Sequence, residues 1–289
     1  MGAHVKGVVS VKKYQLYEGG LDVPELGRWL SLAVVGRYRI FPQDAFWGLG
    51  PNTKPADRAN YLYEDLDTGA TLSTSIRKFR AGTEAGYTEI NTGRGRDTRY
   101  PTIPESLQSQ PRFVHVGAFV EYDTYGDEGD PRDGSKLRFA WTTYASYLDR
   151  FTVDLRRFIP IGENDRLGLR LQSQFTHSSL ASSELPFFLL PTAGGTNTVR
   201  GFNQYRFRDR NALVMNAEYR RPLNAFLDAV AFVDAGRVFS RPENIGLQYL
   251  HPSAGIGARI KFGSRVFFGV DLGISSETKR LWFRSEQMF

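Results

Sequence analysis

The sequence predicts an all-β fold, a transmembrane antiparallel β-barrel that takes in residues 1–289 as one domain. Three observations lead there. From about residue 27 onward, segments of roughly ten residues alternate between apolar and polar side chains, the period that gives a strand one greasy and one wet face. The links between these segments alternate in length, short then long. No run approaches the ~18 consecutive apolar residues of a membrane-spanning helix.

Strands are expected at about 4–17, 28–40, 62–75, 79–90, 113–123, 135–147, 150–159, 165–176, 211–221, 226–238, 253–262, 265–275 and 280–289. In one of them Leu137, Phe139, Trp141, Ala145 and Tyr147 oppose Lys136, Arg138, Thr142 and Tyr144. In the next clear case Leu167, Leu169, Leu171 and Phe175 oppose Gly168, Arg170, Gln172 and Gln174. Ile256, Ile260 and Phe262 oppose Gly257, Arg259 and Lys261, and Val266, Phe268, Val270, Leu272 and Ile274 oppose Arg265, Gly269, Asp271 and Gly273. A soluble sandwich alternates too, with its apolar face inward. Here the polar faces carry many glycines and charges and few β-branched residues, which fits a hydrated lumen. The link Ser75 to Lys78 and the turn Gly263-Ser264 are short, whereas 41–61, 91–112 and 177–210 are long and polar. Short turns at one end and long loops at the other are the outer-membrane pattern. About thirteen strands is an odd number, and bacterial barrels close with an even one. Nor does Met1-Gly2-Ala3-His4 open a secretory signal. The expectation is therefore a 16-stranded barrel whose N-terminal strands lie upstream of this sequence.

Composition narrows the chemistry. The 21 Phe, 14 Tyr, 4 Trp and 29 Gly suit a barrel, and the slightly polar mean hydropathy suits either a barrel or a soluble protein. With no cysteine, disulfide, zinc–thiolate and thiol-nucleophile chemistry are excluded. The net charge of +6 is spread along the chain, so no nucleic-acid partner is expected. His4, His115, His177 and His251 lie in unrelated segments without ligand spacing, and no Ser-His-Asp arrangement stands out. No metal, cofactor or enzymatic activity is expected. Asp127, Glu128, Asp130 and Asp133 form an acidic, Gly-rich turn that could hold calcium but reads better as a solvated turn. Tyr122, Tyr147, Tyr219 and Trp282, near strand ends, read as an interfacial girdle.

The longest loop holds Gly194-Gly195-Thr196-Asn197-Thr198-Val199-Arg200-Gly201-Phe202, followed by Tyr205-Arg206-Phe207-Arg208-Asp209-Arg210-Asn211. The Gly194-Gly195 pair reads as a hinge, since no strand-to-helix unit surrounds it to make a phosphate cradle. Asn216-Ala217-Glu218-Tyr219-Arg220 lies on one later strand and Phe232-Val233-Asp234-Ala235-Gly236 on another, and the chain ends on Phe289. If Arg170 and Gln172 face the lumen, alternation puts Glu218 and Asp234 there as well. An arginine dipping into a barrel needs an anionic partner. Asp234 could pair with it or with Arg259, and Glu218 could pair with it, Arg220 or Arg259.

These motifs, in this order, resemble the BamA/TamA superfamily of outer-membrane assembly and translocation barrels. The resemblance is clear over about residues 186–289, and Phe46-Trp47-Gly48-Leu49-Gly50-Pro51-Asn52 looks like a loop of some members. It implies that Val199, Arg200, Gly201 and Phe202 fold into the barrel as a loop lock. Glu218, Asp234 and Gly236 would be its lumen partners, with Arg200 chiefly on Asp234, and Phe289 would be the C-terminal assembly signal. The implied setting is the bacterial outer membrane. The implied partners are the lipid bilayer and unfolded outer-membrane or passenger polypeptides, and the implied function is insertase or translocase. The alternatives are a passive pore and a lipid or passenger transport barrel.

Overall fold

The alternating segments pair in chain order into one antiparallel sheet of fourteen strands, and a two-stranded ribbon stands in the longest loop. The computed structural model describes residues 1–26, 29–125, 129–263 and 265–284. The first wall strands are β1 (Gly2–Val9), β2 (Gln15–Leu26), β3 (Leu30–Phe46), β4 (Ala59–Ile76), β5 (Phe79–Arg94), β6 (Arg112–Asp123), β7 (Gly134–Tyr144), β8 (Leu148–Ile161) and β9 (Asp165–His177). The ribbon is β10 (Thr192–Ala193) with β11 (Phe207–Arg208). The wall resumes with β12 (Asn211–Asn224), β13 (Leu227–Phe239), β14 (His251–Phe262), β15 (Arg265–Ser275) and β16 (Lys279–Arg284). Strand β9 pairs with β12 across the ribbon-bearing loop. Among the described residues no ladder joins β1 to β16.

Among the described residues fourteen wall strands stand where thirteen are expected, because the segment 4–17 is a hairpin. Strand β1 ends at Val9, Lys13 turns with φ of 65°, and Tyr14 N donates to the Ser10 hydroxyl before β2 begins. The turn Ser10-Val11-Lys12-Lys13-Tyr14 contains neither Gly nor Pro, so nothing in it interrupts the alternation. Among the described residues the count is even, so strand parity no longer bears on what precedes residue 1.

The two faces of the wall differ as the alternation requires. Leu169, Leu171, Phe139, Trp141, Val233, Ile256 and Leu272 are exposed on the outside. Arg166, Arg220, Arg259, Glu218, Asp228 and Asp271 are all buried inside. This inverts a soluble core and fits a barrel with lipid outside and polar groups within. The long links 47–58, 95–111 and 178–210 leave from one end, and the tight links 77–78, 162–164 and 225–226 from the other.

Four details depart from the sequence reading. The ladder between β14 and β15 shifts, so that Ile260 faces Phe268 while Lys261 faces Val266. The bulge leaves Phe267 71% exposed on the outside and turns Val266 to the lumen side with Lys261. Trp282 pairs with Asp271 and points inward, not into a girdle. Tyr147 follows a turn at Ala145 (φ of 46°) and packs on the buried Phe113, with ring centroids 5.8 Å apart. In the acidic turn, Asp130 is not solvated but reaches into the barrel to Arg166, and Asp133 pairs with Arg157 at 3.0 Å. Burial pushes the Asp130 carboxyl up, and the Arg166 guanidinium opposes that shift. Asp127, Glu128, Ser264 and Phe289 lie outside the described residues.

Among the described residues, the larger apolar clusters inside the barrel lie where the long loops fold in, and Phe158 packs apart from them on Tyr125 of the β6–β7 link. Leu185, Phe187, Leu189 and Leu190 of the loop 178–210 pack on Phe46, Tyr61, Ile90, Phe113 and Leu148 of the wall. The long-loop mouth is filled in this way by the protein's own chain.

Candidate lumen lock

The loop 178–210 descends into the barrel from its ribbon. Residues 194–206 fold back on themselves through Gly195 N to Val199 O (3.1 Å), Phe202 N to Val199 O (3.1 Å) and Tyr205 N to Gly194 O (3.2 Å). Gly194 and Gly195 hold φ near 109° and 108°, a backbone that side chains rarely adopt. Val199 and Phe202 are fully buried with Ala193, Phe207, Ala212, Val214 and Val238. This apolar knot sets the position of the residue between them, Arg200.

Arg200 makes a bidentate pair with Asp234, Nε and Nη2 each donating at 2.8 Å, and its backbone N–H donates to the same carboxylate at 3.0 Å. Its Nη1 donates to Glu218 at 2.5 Å and lies 3.6 Å from Asp271. The guanidinium carbon stands 3.4 Å over the ring of Phe232, a cation–π contact on its remaining face. Glu218 in turn accepts from Arg220 (2.6 Å) and Arg259 (2.9 Å). Asp271 accepts from Arg259 (2.7 Å) and from Arg284. Three carboxylates thus meet four guanidiniums, all buried. Glu218 takes every partner the sequence offered it, while Asp234 accepts from Arg200 and Asn216.

The loop backbone is satisfied by the wall. The carbonyls of Asn197, Thr198, Arg200 and Gly201 accept from Arg170 (3.0 Å), Asn216 (2.6 Å), Trp282 Nε1 (2.7 Å) and Ser275 (2.8 Å). Gly201 N donates to Ser253 Oγ at 3.2 Å. Buried backbone groups need such partners, and here they come from β9, β12, β14, β15 and β16. Two glycine contacts make the approach possible. A Cβ on Gly273 would stand 2.4 Å from the Arg200 carbonyl oxygen, and one on Gly236 would stand 2.6 Å from Val199.

Of the residues singled out in the sequence, Val199, Arg200, Gly201, Phe202, Glu218, Asp234 and Gly236 come together in this one site. Asp271, Arg284, Ser253 and Ser275 complete it with no role in the sequence reading, as do Phe232, which is there only the start of a motif, and Trp282, which is there a girdle residue. Parity alone could have found Trp282 and Arg284, which alternate with Leu281 and Phe283. The side chains gathered here are charge pairs and backbone donors around a loop. They hold a conformation, and among the described residues no group of His, Asp and Glu is placed to hold a metal ion.

The fold and this inward-folded loop define an outer-membrane-type barrel closed by its own chain. The chain belongs to the Omp85 superfamily: the model of the Omp85 superfamily domain matches residues 29–273. Solved structures similar in fold include BamA from Haemophilus ducreyi lacking POTRA domains 1–3, with a TM-score of 0.65 at 13% identity over 93% of this chain and 61% of that one. CdiB from Acinetobacter baumannii matches with a TM-score of 0.62 at 14% identity, over 94% of this chain and 49% of that one. CdiB from Escherichia coli matches with a TM-score of 0.63 at 13% identity, over 96% of this chain and 52% of that one. The chain therefore spans about half to three-fifths of the length of these structures. A comparison with curated proteins gives no match.

Proposed function

We propose that the chain works in the bacterial outer membrane as the barrel of a polypeptide insertase or translocase. It acts by opening and closing a seam, without covalent chemistry or a cofactor. The observation that carries this reading is the lock itself: the lumen is occupied by a loop pinned to one stretch of wall, β9 and β12–β16. A permanently open pore has no use for a loop that fills its mouth with Leu185, Phe187, Leu189 and Leu190. In this reading the seam runs along β16. Among the described residues that strand, Lys279–Arg284, is bonded on one side only, to β15. An exposed strand edge is a template for β-augmentation by an incoming strand. Arg200 fixes the loop, and the loop in turn holds β15 and β16 in place through Ser275 and Trp282.

The test is reconstitution in liposomes with an unfolded outer-membrane barrel as client. Wild-type protein is expected to speed the client's passage into a protease-resistant, membrane-inserted form, and Arg200→Ala to lose most of that gain. A large, steady, anion-selective conductance with no effect on the client, unchanged in Arg200→Ala, would contradict the proposal and favour the passive pore.

A further inference from the structure

Arg206 lies six residues beyond Arg200 and belongs to a different set of contacts. We propose that Arg206 is the keystone of a second clasp, one that ties the long-loop rim across the seam and must release before the seam opens. The inference rests on the gated-seam reading above and assigns a positioning residue to it.

Arg206 is buried, and all three of its guanidinium nitrogens are engaged. Nε and Nη2 donate to the Glu277 carboxylate at 2.6 and 2.8 Å. Nη1 donates to Thr53 Oγ1 at 2.8 Å, and Nη2 also donates to the Thr53 carbonyl at 2.7 Å. The ring of Phe207 lies 4.6 Å from the guanidinium carbon and that of Trp47 lies 5.3 Å away. Thr53 belongs to the β3–β4 loop and Glu277 to the turn between β15 and β16. One planar side chain thus joins three separate segments.

Two neighbouring contacts hold the same loop in the same place. Gly50 N donates to the Arg208 carbonyl at 2.8 Å. His251 Nε2 contacts the Pro51 carbonyl at 3.0 Å while its ring stacks on Phe207 at 3.7 Å. The topology gives this grouping its meaning. Among the described residues the ladder runs from β1 round to β16 and does not join them, so the path through that ladder from Thr53 to Glu277 goes the long way round the barrel. Arg206 is the short way, across the gap. Opening the seam at the rim separates the β3 side from the β16 side, and that motion has to break Arg206 from either Thr53 or Glu277. Lysine cannot replace it, since an ammonium lacks the fork that serves a carboxylate and a carbonyl in one plane.

Because the chain has no cysteine, two spin labels can be placed without removing anything. Lys54→Cys and Lys279→Cys put them at exposed positions on either side of the clasp. The labelled barrel is measured in nanodiscs, and the unlabelled one in planar bilayers. With Arg206 intact, one narrow distance distribution and a quiet baseline are expected. Arg206→Lys should broaden the distribution toward longer distances and raise the frequency of brief openings on the order of tenfold, the loss expected for charged hydrogen bonds. Glu277→Gln should act in the same direction but more weakly, and the exchange of Arg206→Glu with Glu277→Arg should recover part of the narrow distribution, which a merely structural defect would not. If Arg206→Lys folds poorly, Thr53→Val reports the weaker arm of the clasp alone. Unchanged distances and openings in Arg206→Lys and Thr53→Val would overturn the clasp, even with client insertion intact. Failure of the wild type to insert the client, with the distances responding as stated, would sink the insertase reading and leave the clasp standing.

Discussion

Strands β9 and β12–β16 obey the same alternation as β1 and β2, yet the two regions are built to different ends. The first six carry buried charges on their inner face, most of them paired with an opposite charge on the wall, in the β6–β7 link or on the loop. The hairpin β1–β2 has no such inner layer. Every residue of β1 is exposed, and its inward His4 stands 3.8 Å from both Glu18 and Asp22, at the outer limit of an ion pair. Alternation is enough to make a sheet, because it gives each strand a greasy and a wet face. It does not hold the sheet in one arrangement. In the C-terminal wall that is done by the inserted loop, whose tip makes hydrogen bonds with six wall strands. A buried ionic network of this kind adds little net stability, since desolvation offsets the attraction, but it makes the alternatives costly.

The largest effect that would sharpen this contrast comes from charge removal. Arg200→Ala leaves Glu218 and Asp234 short of a buried partner and should destabilise the loop by ~3–5 kcal/mol, read as lost protease protection of 178–210. Combined with Asp234→Ala, the two changes should be far from additive. In the N-terminal part, Arg37→Ala removes a half-exposed pair with Asp67 (2.9 Å) and should cost no more than about 1 kcal/mol. Equal costs at Arg37 and Arg200 would erase the distinction.

Next comes the orientation of the wall. Leu169→Arg should destabilise the barrel in bilayers by ~2–4 kcal/mol if the site is near mid-membrane, while Gln172→Arg, on the lumen face, should be mild. Urea titration of refolding in lipid vesicles measures both, and equal losses would mean that the faces are misassigned.

A smaller effect tests how closely the loop sits on the wall. Gly273→Ala places a methyl against the Arg200 carbonyl and should cost roughly 1–3 kcal/mol, as overpacking does. Gly2→Ala meets nothing within 4 Å and should change nothing measurable by the same titration. The smallest of the set is Trp282→Phe, which deletes the indole N–H to the Arg200 carbonyl while keeping most of the ring. It should cost about 1 kcal/mol, seen as faster proteolysis of the loop tip.

The sequence carried much of this in legible form. Alternation from Leu167 to Phe175 set the faces, and carried to β12 and β13 it put Glu218 and Asp234 in the lumen. The loop motif and its order marked Arg200 and Gly236. What escaped has physical reasons. The turn at 10–14 uses Lys13 at positive φ instead of Gly or Pro, so the alternation shows one strand where two exist. The bulge at Phe267 inserts a single residue, and a period of two cannot report an insertion. Residue type alone points Trp282 to an interface, whereas its own alternation points it inward. The Arg206 contacts join residues 71 and 153 positions apart, and no local pattern carries such a pairing.

The central claim is that the C-terminal wall and the loop tip form one locked unit while the β1–β2 hairpin does not share in it. Hydrogen exchange of the barrel in nanodiscs, resolved by segment, measures this directly. The account predicts slow exchange, at a common rate, for the amides of 197–202 and of β12–β14, fast exchange for β1, and a selective loss of protection at 197–202 and β15–β16 in Arg200→Ala. Uniform protection across β1 and β12–β14, or loss spread evenly over the whole sheet in Arg200→Ala, would contradict it.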